Sequence, residues 1–210
     1  MENRTAFARQ ERTELADLLE QLTPEQWEHE TLCAGWRVRD VVAHVFSYDD
    51  LSGADLARRL AQGRFRLDRV NAACLAELAG GTPAELTALA RAHLQPRGLP
   101  AGFRGAIALV DGMIHAQDIR RPLGLARSIP ADRLTSALDF AKTSPAINGF
   151  WHRRGVRMVA TDLDWTAGIG PEVRGTGEAL LLTLAGRHAT VAELEGPGQP
   201  LLDRRLRRGR

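Results

Sequence analysis

The sequence predicts a mainly α-helical protein, with a helical bundle over residues 1–146 and a small α+β region with a basic tail over 147–210. Three observations predict it. Through most of the first region, apolar residues recur at spacings of three and four, the pattern of helices with one buried face. Two capping boxes, Thr23-Pro24-Glu25-Gln26 and Thr82-Pro83-Ala84-Glu85, each open a helix with proline at its first position. Past about residue 150 the texture changes, and Gly155 to Thr161 alternates loosely, as a strand does.

In chain order, the first helix is expected over residues 2–21, where Leu15, Leu18 and Leu19, continued by Leu22, form the apolar stripe. The short helix opened by Thr23 follows, then a loop over 28–36 that ends at Gly35-Trp36. A helix from Val38 to Phe46 has Val38, Val41, Val42 and Val45 on one face, with His44 beside that stripe. Residues 50–62 and 64–79 read as helical pieces parted near Gly63, and Gly80-Gly81 breaks the pattern. The helix opened by Thr82 carries Leu86, Leu89, Ala90 and Leu94, and Pro96 to Gly102 is a loop. The next helix spans 104–120, with Ile107, Leu109, Val110 and Ile114 inward. Arg121-Pro122-Leu123-Gly124 ends it, since proline cannot continue the hydrogen-bond ladder and glycine permits the turn. A last bundle helix is expected over 131–142. Beyond it come the strand at 155–161, a turn-rich stretch from Asp162 to Gly170, a short strand before Gly175, a helix over 176–186 and a further turn at 192–194. The tail from Arg204 to Arg210 is expected to fray.

With 28 basic against 26 acidic residues, the formal charge is only +2. That balance gives no reason to expect a nucleic-acid or anionic-membrane partner. The arginine-rich tail has no interleaved aromatics and reads as a solubilising end. The two cysteines, Cys33 and Cys74, make no disulfide framework and read as small, half-buried residues of a reducing compartment. No signal-like apolar region follows Met1, and no run reaches the ~18 apolar residues of a membrane span. The expectation is a cytoplasmic monomer or homodimer acting on a small molecule.

The chemistry-bearing residues lie on two of the helices. Asp111 and His115 are four apart, so both project from one helix face, a turn from each other. If the helix of His44 packs beside them, two imidazoles and a carboxylate converge, and three protein donors with an open position suit a catalytic metal site. That donor set accepts zinc, nickel, manganese or iron. Taken singly, His44 reads as a boundary residue and Asp111/His115 as a surface pair. Asp118, three residues past His115, is placed to orient its ring or to sit solvated at the helix end. Trp27 and Trp36 read as packing anchors. His29, His93, His152 and His188 share no ligand spacing.

At these residues a family resemblance emerges. Residues 23–46, with Thr-Pro-Glu-Gln-Trp followed by Leu32-Cys33-Ala34-Gly35-Trp36-Arg37-Val38-Arg39-Asp40-Val41-Val42-Ala43-His44, resemble the N-terminal signature of the mycothiol-dependent maleylpyruvate isomerase family. That family belongs to the DinB/YfiT-like metal-binding four-helix bundles. His115 to Gly124 resembles its second signature, and residues 175–187 are similar to its small C-terminal domain. The resemblance implies a divalent metal, usually zinc, held by His44, Asp111 and His115, and mycothiol as thiol cosubstrate. The family usually carries glutamate where Asp111 stands, one methylene longer, and the C-terminal part of this chain looks abbreviated. The implied chemistry is a thiolate that adds to a conjugated cis double bond, with rotation and elimination giving the trans isomer, or that displaces a leaving group in S-transfer. Neither route needs a protein nucleophile. Arg120, Arg121 and Arg187 are the expected cations for a carboxylated substrate. The competing expectation is a non-catalytic small-molecule-binding or stress-associated bundle.

Overall fold

The computed structural model describes residues 4–78 and 80–208. Residues 1–3, where the first helix is expected to begin, Ala79 and the last two residues of the tail lie outside the described residues. The chain divides into two compact units, Met1–Arg127 and Ser128–Arg210.

The first unit contains α1 (Arg4–Leu19), α2 (Pro24–Trp27), α3 (Val38–Phe46), α4 (Gly53–Gln62), α5 (Leu67–Leu78), α6 (Pro83–Ala92) and α7 (Gly102–Arg120). Helices α1, α6, α3 and α7 pack each against the next and close a four-helix ring, with α5 laid on α3. Both expected capping boxes form. Thr23 and Thr82 each accept from the backbone three residues on, and Gln26 and Glu85 reach back to the cap residue. The four valines of α3 are buried together with Leu15, Leu19, Leu86 and Ile119, and each such side chain contributes about 1.5–3 kcal/mol relative to exposure. Helix α7 is buried on nearly every side from Gly105 to Ile119, as befits the central helix. Its first turn is separated from the rest by left-handed backbone at Phe103, Arg104 and Gly105. Glycine is required at 105, because φ is +84° and a Cβ there would sit 2.9 Å from Thr5 Cα of α1.

Two buried ion pairs tie this unit together. Arg12 grips both carboxylate oxygens of Asp49 at 2.7 and 2.9 Å and also donates to the His93 carbonyl at 2.7 Å. Arg127 donates to Glu11 and Glu14 of α1.

The second unit contains α8 (Ala131–Ala141), α9 (Gly149–Arg153), β1 (Arg157–Ala160), β2 (Thr166–Gly168), β3 (Glu172–Gly175), α10 (Gly177–Leu184) and α11 (Gln199–Arg208). Helix α8 packs on α10, so it contributes to this core, and α6 takes the fourth place in the ring of the first unit. The sheet order is β2-β1-β3, with β1 antiparallel to β2 (Met158 opposite Ala167) and parallel to β3 (Met158 opposite Val173). Strand β2 lies inside the stretch expected to be turn-rich. Its three residues carry no periodic signal, and it exists because β1 offers it a ladder. The tail expected to fray is instead helical to Arg208: Leu202 and Leu206, four apart, are both buried.

Candidate metal centre

Helix α3 starts after Arg37, whose backbone N–H donates to the Asp40 carboxylate at 2.9 Å, so Asp40 serves the helix start. The valine face seats the helix, which leaves His44 in its last turn and 9% exposed. On α7, Leu109, Met113 and Ala116 are buried, and Asp111 and His115 project one turn apart. The packing of α3 on α7 joins the three side chains. Asp111 Oδ1 lies 3.5 Å from His115 Nε2 and 3.8 Å from His44 Nε2. The two imidazole rings stand edge to face, 5.0 Å apart. One donor atom from each residue lies within 4.8 Å of the others. Donors around a tetrahedral ion with bonds of about 2.0–2.1 Å are about 3.4 Å apart, so both acid–imidazole edges already approach the spacing an ion needs. The donor set therefore fits a divalent cation. Asp111, with its side chain 34% exposed, is the member nearest solvent.

The orientation of His115 is fixed from behind. Its Nδ1 lies 2.9 Å from Oδ2 of the fully buried Asp118. A carboxylate only accepts, so Nδ1 carries a proton and it is Nε2 that faces the donor set. The Cys33 thiol donates to the same Asp118 oxygen at 3.1 Å. His44 is held by ring packing instead, with Trp36 at 5.1 Å and Tyr48 at 6.1 Å between centroids, and its buried Nδ1 has no hydrogen-bond partner among the described residues. The Tyr48 hydroxyl donates to Asn71 at 2.5 Å.

Asp111 and His115 stabilise one another's charged forms. Burial pushes the Asp111 carboxyl up, but the charges and hydrogen bonds of His115 and His44 outweigh it and hold the pKa well below the carboxylate range. Burial pushes His115 down, but Asp111, then Asp118 and Cys33, outweigh it and hold the imidazole well above its ordinary value. Without a metal the site thus retains a proton on His115, between two carboxylates. Burial, then Cys74 and Asp111, raise the Tyr48 phenol, so it stays protonated.

Residues 8–140 match the model of the family described as mycothiol maleylpyruvate isomerase N-terminal domain. The chain belongs to that family. Among solved structures it is similar to a mycothiol-dependent maleylpyruvate isomerase, with TM-score 0.63 and 17% identity over 93% of this chain and 92% of that one. A histidine-to-alanine variant of such an isomerase matches with TM-score 0.62, the same identity and the same coverage. At this identity the likeness establishes the fold: a helical bundle of the DinB-like type with a small C-terminal α+β region. No curated protein sequence matches the chain.

Within this isomerase-family frame, His44, Asp111, His115 and Asp118 lie together: the four-residue step accounts for Asp111 and His115, and the packing of α3 on α7 brings His44 to them. Arg120 and Arg121 are not gathered at those donors. Arg120 lines a cleft of about 500 Å³ with Glu14, Asp17, Gln21 and Gln26, and none of the three donors lines it. Arg121 caps the end of α7. Arg187 belongs to the second unit, where its Nη1 donates to the Ala185 carbonyl at 3.0 Å. Two residues escaped sequence reasoning. Cys33, read as filler, sits against Asp118 and His115. Tyr48 packs on His44, and its position four residues on was the available signal. Of the remaining histidines, His93, His152 and His188 bond to Asp50, the Leu184 carbonyl and Asp203.

Proposed function

We propose that this chain is a metal-dependent enzyme that uses a low-molecular-weight thiol, mycothiol, for isomerisation or S-transfer on a small electrophilic substrate. His44, Asp111 and His115 would hold the cation, with zinc the best match to two imidazoles and a carboxylate. The observation that carries this reading is the convergence of both Nε2 atoms on Asp111 Oδ1, with Asp118 behind one of them. A divalent cation at such a site supplies Lewis acidity that favours the deprotonated form of a thiol or water brought to it. The chain's own groups do the rest. Asp118 keeps the proton of His115 on Nδ1, so Nε2 stays available as a donor. Trp36 and Tyr48 wall the His44 ring and limit water on that side. Asp111, part-exposed, lies where a substrate would enter.

For a carboxylated substrate, the cation we assign is Arg120, in a cleft that the three donors do not line, because its buried Nε has no hydrogen-bond partner among the described residues. The test is thermal stabilisation by mycothiol in metal-loaded and metal-stripped protein. Stabilisation confined to the loaded form supports thiol chemistry at the cation. Equal stabilisation of both forms would favour the non-catalytic binding bundle, and none in either would remove the thiol.

A further inference from the structure

The loop over residues 31–36 touches both helices that carry the three donors. Its Leu32 N–H donates to the Asp118 carbonyl of α7 at 3.1 Å. Its Cys33 thiol lies 3.1 Å from Asp118 Oδ2 and 3.7 Å from His115 Nδ1. Its Trp36 ring packs on His44 of α3, 5.1 Å between centroids. The loop is itself rigid: Trp36 N–H donates to the Cys33 carbonyl at 2.9 Å, Thr31 Oγ1 donates to the Trp36 carbonyl at 2.9 Å, and the Cys33 N–H donates to Thr31 Oγ1 at 3.1 Å. The thiol and the imidazole N–H converge on one oxygen of a carboxylate with no solvent exposure. A buried carboxylate needs its lone pairs met by donors, and it holds one rotamer only when they are.

We infer that Cys33 is a positioning residue of the metal centre: its thiol fixes the Asp118 carboxylate, which in turn aims His115 Nε2 at the cation site, while the same loop seats His44 through Trp36. Cys33 acts through Asp118 and is not itself a ligand. The thiol belongs to the protein's architecture and not to the reaction, so the small-thiol chemistry proposed above does not consume it. Groups behind a metal ligand typically control affinity by about 10–100-fold. A thiol is a weak donor and stands one step further back, so its removal should weaken the metal by about three- to tenfold.

This inference rests on the metal reading of the site, and the experiment separates the two. Zinc affinity is measured by competition with a chromophoric chelator for wild type, Cys33→Ser, Cys33→Ala, Asp118→Ala and the Cys33→Ala/Asp118→Ala double variant. Serine, a donor of similar size, should stay within about twofold of wild type, and alanine should fall by the three- to tenfold given above. The double variant should bind no worse than Asp118→Ala alone, because the thiol has then lost the acceptor it orients. A second readout needs no metal. The His115 Nδ1–H proton, shielded by Cys33 and bonded to Asp118, should give a downfield proton resonance in metal-stripped wild type and Cys33→Ser, and should broaden by water exchange in Cys33→Ala. If wild type binds no zinc but this resonance pattern is seen, the metal reading falls and the Cys33–Asp118–His115 relay stands. A Cys33→Ala protein with wild-type affinity and an unbroadened resonance overturns the relay, as does additive loss in the double variant.

Discussion

Replacing Asp118 by asparagine isolates what a buried charge behind His115 contributes. The wild-type contact is a 2.9 Å charge-assisted hydrogen bond to a carboxylate with no solvent exposure. Asparagine is nearly isosteric, and its amide oxygen still accepts from Nδ1–H, so packing and tautomer survive. What is lost is the full negative charge that makes Nε2 a stronger donor. Removing a metal ligand's supporting partner typically costs about 10–100-fold in affinity. Retaining the hydrogen bond puts Asp118→Asn at the lower end, about tenfold or ~1.4 kcal/mol. Asp118→Ala strips the bond as well and should approach about 100-fold. The assay is zinc competition against a chromophoric chelator at fixed pH and ionic strength, with circular dichroism to establish folding. If Asp118→Asn binds zinc as tightly as wild type, His115 is not oriented for a metal by this carboxylate and the reasoning about the centre is wrong.

Metal binding should be pH-dependent in a defined direction. His115 is raised well above 6.5 in the metal-free protein, so a cation must displace its proton. Affinity should therefore climb about tenfold per pH unit until the folded pKa is reached, with one proton released, read by calorimetry in buffers of different ionisation enthalpy. The metal-free fold has its own pH window. The raised His115 contributes stability in full below about pH 6.5 and loses it as pH rises through the folded pKa. The lowered Asp111 contributes above about pH 4 and loses it as pH falls through its folded pKa. Chemical denaturation of stripped protein should thus show a plateau between about pH 4 and 6.5 with a decline on either side, and a continued rise toward pH 9 would contradict the His115 shift. Restoring the family's glutamate with Asp111→Glu should keep zinc within severalfold, whereas Asp111→Asn, with no anionic donor, should lose it; equal retention in both would remove Asp111 from the donor set. Breaking the buried Arg12–Asp49 pair with Arg12→Ala leaves an uncompensated carboxylate and should cost about 3–5 kcal/mol in urea denaturation, while a loss under 1 kcal/mol would show the pair to be dispensable.

The sequence revealed helices and donors to different depths. Asp111 and His115 were legible because a four-residue step on a helix fixes shared facing whatever surrounds it. His44 was legible through the valine stripe beside it, and its partners through the family signature. The capping boxes were legible because their hydrogen bonds are local. What stayed hidden depends on tertiary placement. Nothing in residues 31–36 announces that Cys33 lands on Asp118, since the contact spans 85 positions. Strand β2 is too short to have a period, and α11 looked like a run of charge because only Leu202 and Leu206 carry its buried face. Helix α8 has a clear amphipathic pattern, but periodicity does not say which core the apolar face joins.

Anomalous diffraction at the zinc edge from zinc-loaded crystals reads the donor set directly. One strong peak should stand between His44 Nε2, Asp111 Oδ1 and His115 Nε2, and it should vanish in His115→Ala. A peak seated elsewhere, or none at saturating zinc, would leave this bundle without the cation around which its chemistry has been built.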